Sequence, residues 1–180
     1  MSPRRERWHV SPAVGSVSVS LRDEDGVVRE KKWLASAPDL GIARTGPWRT
    51  FRWRHGQQHY SGTYWSSVMR GHVIYESRLE LTRLLYADFD RGTEAVFAQP
   101  FLLSAQVDGR QRRHVPDFLI LRRGRVPLAV DVKPRHLLTR PKVSFSLGWA
   151  REAVESRGWE FEAWSEPPEA ELANVRFLAG

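Results

Sequence analysis

From Ser16 the chain alternates apolar and polar residues, with Val17, Val19 and Leu21 on one face. Arg22-Asp23-Glu24-Asp25-Gly26 then interrupts the pattern and residues 27–34 return it, which predicts a hairpin turning at Asp25-Gly26. Residues 75–90 change to a helical period, with Leu79, Leu81, Leu84, Leu85 and Phe89 as the predicted apolar stripe. Ser77 and Glu80 have the Ser-x-x-Glu spacing of a capping box. A strand follows over 94–103, open to a break at Pro100. Residues 104–107 extend it, Asp108-Gly109 turns it, and 110–121 come back. Residues 114–134 read as two apolar strands joined by a tight basic turn. A helix over 142–157 ends at Gly158, a strand over 159–164 places Phe161 and Ala163 on one side, and Pro167-Pro168 opens a last helix over 169–178. From Ser77 onward the order is helix, three strands, helix, strand, helix, a mixed α/β domain of about 100 residues.

The remaining segments are less regular. Residues 1–15 are polar, basic and proline-bearing, and are expected to be poorly ordered. Pro38, Gly46 and Pro47 mark a loop over 35–48. The predicted division is therefore a basic tail and β-hairpin extension over 1–48 and one domain over 49–180. Between 47 and 75 aromatics interleave with arginines and histidines. The reading adopted is a strand pair whose aromatic face packs on the main domain; stacking on nucleic-acid bases is the other.

Composition adds two constraints. An apolar fraction of 41% with 8 Trp and 8 Phe is enough for a packed core. Lys plus Arg is 28 against 21 for Asp plus Glu, and arginine supplies most of the resulting +7. That balance suits a polyanion gripped through forked contacts. There is no cysteine, so disulfides and thiolate metal sites are excluded and any metal must take oxygen or histidine ligands. No apolar run approaches the roughly 20 residues of a membrane helix. The N-terminus lacks the apolar segment of a signal peptide. The chain is expected to be soluble, cytoplasmic and without a membrane partner.

Against this background two acids stand out. Asp117 follows Pro116 at the start of one apolar strand, and Asp131 lies near the end of the next, before Val132 and Lys133. A lone carboxylate in a core strand costs several kcal/mol unless it is paired, protonated or bound to a metal. Strand alternation puts Asp131 and Lys133 on one face. Two acids and an ammonium at the end of a hairpin point to a divalent-metal site for phosphodiester hydrolysis. Hard oxygen ligands suit Mg²⁺ or Mn²⁺. In that scheme Asp117 and Asp131 hold the metal, with the Val132 carbonyl as a third ligand. Lys133 orients or activates the attacking water, and Glu80 completes the shell. Glu80 read alone is simply a capping residue, and Glu76, one turn away, competes for the same role. Arg110, Arg112, Arg113, Arg135, Arg140 and Lys142 are candidate phosphate contacts. The six histidines show no ligand spacing, and only His114, on the strand face of Pro116, is set apart.

Pro116-Asp117 followed by Asp131-Val132-Lys133 resembles the PD-(D/E)xK nuclease signature. The order Ser77-Arg78-Leu79-Glu80, Asp88-Phe89-Asp90, Gln99-Pro100-Phe101, Pro116-Asp117-Phe118-Leu119 and Val130-Asp131-Val132-Lys133-Pro134 resembles the TnsA-type endonuclease subunit of heteromeric transposases. The resemblance covers most of residues 50–180. It implies a restriction-endonuclease-like α/β core with an N-terminal β-rich extension, and Glu80, Asp117, Asp131 and Lys133 as catalytic residues. In that family the third-motif acid is sometimes glutamine. The family's nuclease subunit cuts the 5′ ends of a transposon in double-stranded DNA, while an integrase-like partner joins the 3′ ends. Better-known members continue into a C-terminal helical domain, for which the residues up to Gly180 leave no room. Two other readings fit the same residues: a stand-alone nuclease of restriction or repair type, and a catalytically silent DNA-binding or assembly module.

Overall fold

The computed structural model describes residues 13–33, 41–49 and 61–179. The expected N-terminal tail up to residue 12, much of the 35–48 loop, and the arginine- and aromatic-rich stretch 50–60 lie outside these residues.

Among the described residues ten strands form two four-stranded sheets and a separate hairpin. β1 (Val14–Arg22) and β2 (Val28–Lys32) are the predicted antiparallel hairpin, with Gly26 at φ 83° in its turn. β1 also pairs with β6 (Leu102–Val107), and β6 with β7 (Arg110–His114), so the first sheet runs β2-β1-β6-β7, all antiparallel. The second sheet runs β10-β9-β8-β5, from β5 (Thr93–Ala98), β8 (Phe118–Arg122), β9 (Leu128–Val132) and β10 (Glu160–Trp164). Its β8–β9 and β5–β8 pairs are antiparallel and its β9–β10 pair is parallel. The third hairpin is β3 (Gly62–Ser66) with β4 (Gly71–Tyr75). Among the described residues there are four α-helices: α1 (Arg78–Phe89), α2 (Arg135–Leu138), α3 (Pro141–Ser156) and α4 (Glu169–Ala179).

Two expected strands are each divided. The stretch 94–107 is β5 and β6, and 110–121 is β7 and β8. Both divisions fall at a proline, which cannot donate to a ladder. At Gln99-Pro100-Phe101 the chain leaves the second sheet for the first, and at Val115-Pro116-Asp117 it returns. The two crossings are tied together, since the Gln99 amide donates to the Asp117 carbonyl at 2.8 Å. Gln99 is buried and sits at φ 46°, a left-handed conformation seldom taken by residues other than glycine. Its side-chain oxygen accepts from the Arg49 amide at 2.9 Å and its carbonyl from the Trp48 amide at 2.9 Å. These bonds hold the crossing.

Each face of the second sheet has its own core. Odd-numbered Leu119 and Ala129 pack with β1, β6 and α3, where Trp33, Phe101 and Trp149 are the largest members. Even-numbered Phe118, Ile120, Leu128, Val130 and Val132 pack with Leu84 and Ala87 of α1. Trp33, just after β2, donates its indole N–H to the Ala153 carbonyl of α3 at 2.6 Å and meets Phe101 and Trp159 ring to ring. The N-terminal hairpin is thereby built into the α3 core. The architecture is a mixed α/β fold of restriction-endonuclease-like kind with a β-rich N-terminus.

The expected apolar stripe of α1 is only partly the buried face. Thr82, Arg83, Leu84 and Ala87 are buried, whereas Phe89 is 49% exposed. Arg83 takes its place in the interior by reaching Glu162 of β10 through two hydrogen bonds, at 2.8 and 3.2 Å. An arginine whose charge is met can lay its stem along apolar surface.

Candidate active site

Asp117 sits where the chain re-enters the second sheet, and the site is built around that crossing. Alternation places Asp117, Asp131 and Lys133 at odd positions, on the sheet face that carries Leu119 and Ala129. One Asp117 carboxylate oxygen accepts the Val132 amide at 2.7 Å and the Lys133 ammonium at 3.2 Å. The same ammonium donates to the Val132 carbonyl at 3.0 Å and lies 3.8 Å from Asp131 Oδ1. Two carboxylates and a main-chain carbonyl thus converge on one positive charge. Asp131 is 1% exposed and the Lys133 side chain 32%, so the acid is interior and the lysine opens the site to solvent.

Glu80 serves first as a cap. Ser77 is the N-cap of α1 and accepts the Glu80 amide at 3.1 Å, while the Glu80 carboxylate accepts the Ser77 hydroxyl at 3.0 Å and the Glu76 amide at 2.7 Å. No hydrogen bond or ion pair joins Glu80 to the other three residues among those described. Its charge nonetheless reaches them. Burial, and then the neighbouring Asp117 charge, push the Glu80 carboxyl up to about 7. Glu76 is drawn off by Arg49, 3.1 Å away.

Charge in this pocket is unbalanced, with three carboxylates for one ammonium. Burial lifts the Asp117 carboxyl, outweighing the pull of Lys133, and the Asp131 charge adds to the rise. Burial alone would lower Lys133, but the charges of Asp117, Asp131 and Glu80 reverse the direction and hold it charged. A negative excess raises acids and bases alike. Among the described residues no three Asp, Glu or His side chains form a set that could hold a metal ion. The donor set here is instead two carboxylates and the Val132 carbonyl, already gathered on a cation. Hard oxygens in a pocket of excess negative charge fit a hard divalent cation.

His114 is the residue that spacing alone did not assign. It ends β7, and its Nε2 lies 2.6 Å from Asp131 Oδ2. Ser146 Oγ of α3 lies 3.3 Å from Nδ1, and Trp149 meets the ring edge to face at 5.8 Å. Oδ2 of Asp131 is therefore committed to His114 and Oδ1 faces Lys133. The available signal was the position of His114 just before the Pro116-Asp117 pair.

The six basic candidates separate. Arg112, Arg113 and Lys142 line one groove. Arg135 is held by Glu166, through its amide at 2.8 Å and its guanidinium at 2.6 Å to the Glu166 carbonyl. Arg110 opens β7 and Arg140 caps α3, both exposed.

A mixed sheet preceded by an acid-bearing helix thus carries two acids and a lysine at the end of one hairpin. Residues 93–166 match the family model of the TnsA-like endonuclease N-terminal domain, and over this stretch the chain is similar to that domain. His114, Asp117, Asp131, Val132, Lys133 and Ser146 fall inside the match, and Glu80 precedes it. No curated protein matches the chain. Among the described residues no helix is long and apolar enough to cross a membrane.

Proposed function

We propose that the chain is a metal-dependent DNA endonuclease, the nuclease subunit of a heteromeric transposase, which cuts the 5′ ends of the mobile element beside an integrase-like partner. The observation that carries this reading is the convergence of Asp117, Asp131 and the Val132 carbonyl on the Lys133 ammonium, within the stretch matched to an endonuclease family. Those three oxygens would hold Mg²⁺ or Mn²⁺, with Glu80 as a further donor. A divalent ion bound there supplies charge neutralisation of the scissile phosphate and an activated water.

The side chains divide the remaining work. Lys133, more exposed than either aspartate, faces the phosphate and orients the attacking water. His114 fixes one oxygen of Asp131 and so aims the other, a role typical of groups that steer a ligand rather than reach the substrate. Glu80 couples the start of α1 to the site, because the carboxylate that caps the helix also adds to the negative potential. Supercoiled plasmid incubated with the protein and Mg²⁺ or Mn²⁺, alone and with the co-encoded integrase-like protein, tests the reading. Nicking that stops in EDTA is expected. Absence of cutting in every metal and partner condition would leave a DNA-binding module instead.

A further inference from the structure

A groove of about 530 Å³ lies between β7 and the first turns of α3, lined by Arg112, Arg113, Lys142, Phe145, Ser146 and Trp149 along with Pro141. β7 is the edge strand of its sheet, and its consecutive residues Arg112 and Arg113 point to opposite faces. Both line the groove, which therefore wraps the open edge. No acid lines it. Among the described residues no carboxylate pairs with Arg112, Arg113 or Lys142. The Arg112 guanidinium lies over the Phe145 ring, 5.2 Å from its centroid, which fixes its plane. Its Nε–H is buried with no hydrogen-bond partner among the described residues. The other guanidinium nitrogens, which no hydrogen bond occupies among the described residues, are the donors a phosphate oxygen would meet. A second groove of about 450 Å³, between α1, β10 and α4, makes a useful contrast, because Asp90, Glu162 and Glu171 line it and would repel phosphate.

We infer that the β7–α3 groove binds a DNA backbone, with Arg112, Arg113 and Lys142 contacting successive phosphates. The inference takes its substrate class from the nuclease reading. The groove also has a direct path to the site: Ser146 in its wall lies against His114, whose other nitrogen holds Asp131. A strand seated in the groove passes two hydrogen bonds from the carboxylate that faces Lys133.

The test is fluorescence anisotropy of a labelled DNA duplex in EDTA across a range of NaCl, so that binding is read without cleavage. Arg112→Gln/Arg113→Gln/Lys142→Gln is compared with wild type and with Arg29→Gln/Arg91→Gln/Arg123→Gln, which removes the same charge elsewhere. Circular dichroism melts check that all three are folded. The groove variant is expected to bind at least about ten-fold more weakly near 0.1 M salt. The slope of log K against log[salt] is expected to fall by about 2 to 3. The control is expected to keep the wild-type slope. A groove variant with wild-type affinity and slope, or a control that weakens equally, overturns the inference. The two readings can fail separately. Loss of slope in a protein that never cuts plasmid supports the groove and overturns the nuclease. An unchanged slope in a protein that cuts does the reverse.

Discussion

Two opposing influences act on the Glu80 carboxylate. Capping wants it ionised, while burial and Asp117 favour the protonated form and push it up to about 7 from an ordinary 4.5. Between those values the folded protein holds a proton that the unfolded chain has released, so stability falls as pH rises through this window and levels off above it. Glu80→Gln keeps a side chain able to close the capping box. Chemical denaturation in EDTA from pH 4 to 8 should show wild type losing on the order of 3 kcal/mol relative to Glu80→Gln across the window. Parallel pH profiles would contradict the buried, negatively charged environment.

At the same scale, His114→Ala releases Asp131 Oδ2 and leaves a buried carboxylate short of a partner. Loss of such an orienting group lowers metal affinity or activity about 10- to 100-fold. Mn²⁺ binding by calorimetry checks the affinity, and partial recovery in His114→Gln is expected because the amide can still donate. The acids and the lysine were legible in the sequence because each is costly where it stands, and cost implies a partner or a ligand. His114 was not, because its partner is 17 residues away and its second contact comes from α3.

Among the elements, the hairpins, the α1 cap, α3 with its Gly158 stop, and β10 follow from local pattern. The capping box at Ser77 and Glu80 is observed, and Ser77→Ala should cost about 1 kcal/mol in urea denaturation. What local pattern could not give is which sheet each strand joins. Residues 94–107 read as a strand with a break open at Pro100, because apolar residues continue on both sides of the proline. The proline signals a break, but the change of sheet depends on Gln99 adopting a left-handed turn that tertiary hydrogen bonds hold in place. The α1 stripe misplaced Phe89 for a related reason. Burial on that helix is decided by Glu162, which meets Arg83, and helical period does not record a charge partner on a distant strand.

On the scale of the whole molecule, the N-terminal hairpin and the site are joined through one core. Trp33 packs between Phe101, Trp159 and α3, whose Ser146 supports His114. Trp33→Ala should destabilise the fold by about 3 to 5 kcal/mol, measured by chemical denaturation, with a single transition. Two separate transitions would mean that the hairpin folds independently of the site. The clustering of Asp117, Asp131 and Lys133 was the part most open to sequence reading, and the groove the least, because Arg112, Arg113 and Lys142 come together only when β7 meets α3.

The central claim is that the Asp117, Asp131 and Lys133 cluster cleaves phosphodiester bonds. Its most direct test is the nicking rate of Asp117→Asn against wild type on supercoiled plasmid in Mn²⁺, with the integrase-like partner present. Asparagine keeps the shape and an oxygen acceptor but removes one negative charge from the donor set. A loss of several kcal/mol of charge stabilisation predicts a fall of at least about 100-fold, with DNA binding in EDTA unchanged. An Asp117→Asn protein that nicks at the wild-type rate would contradict the account.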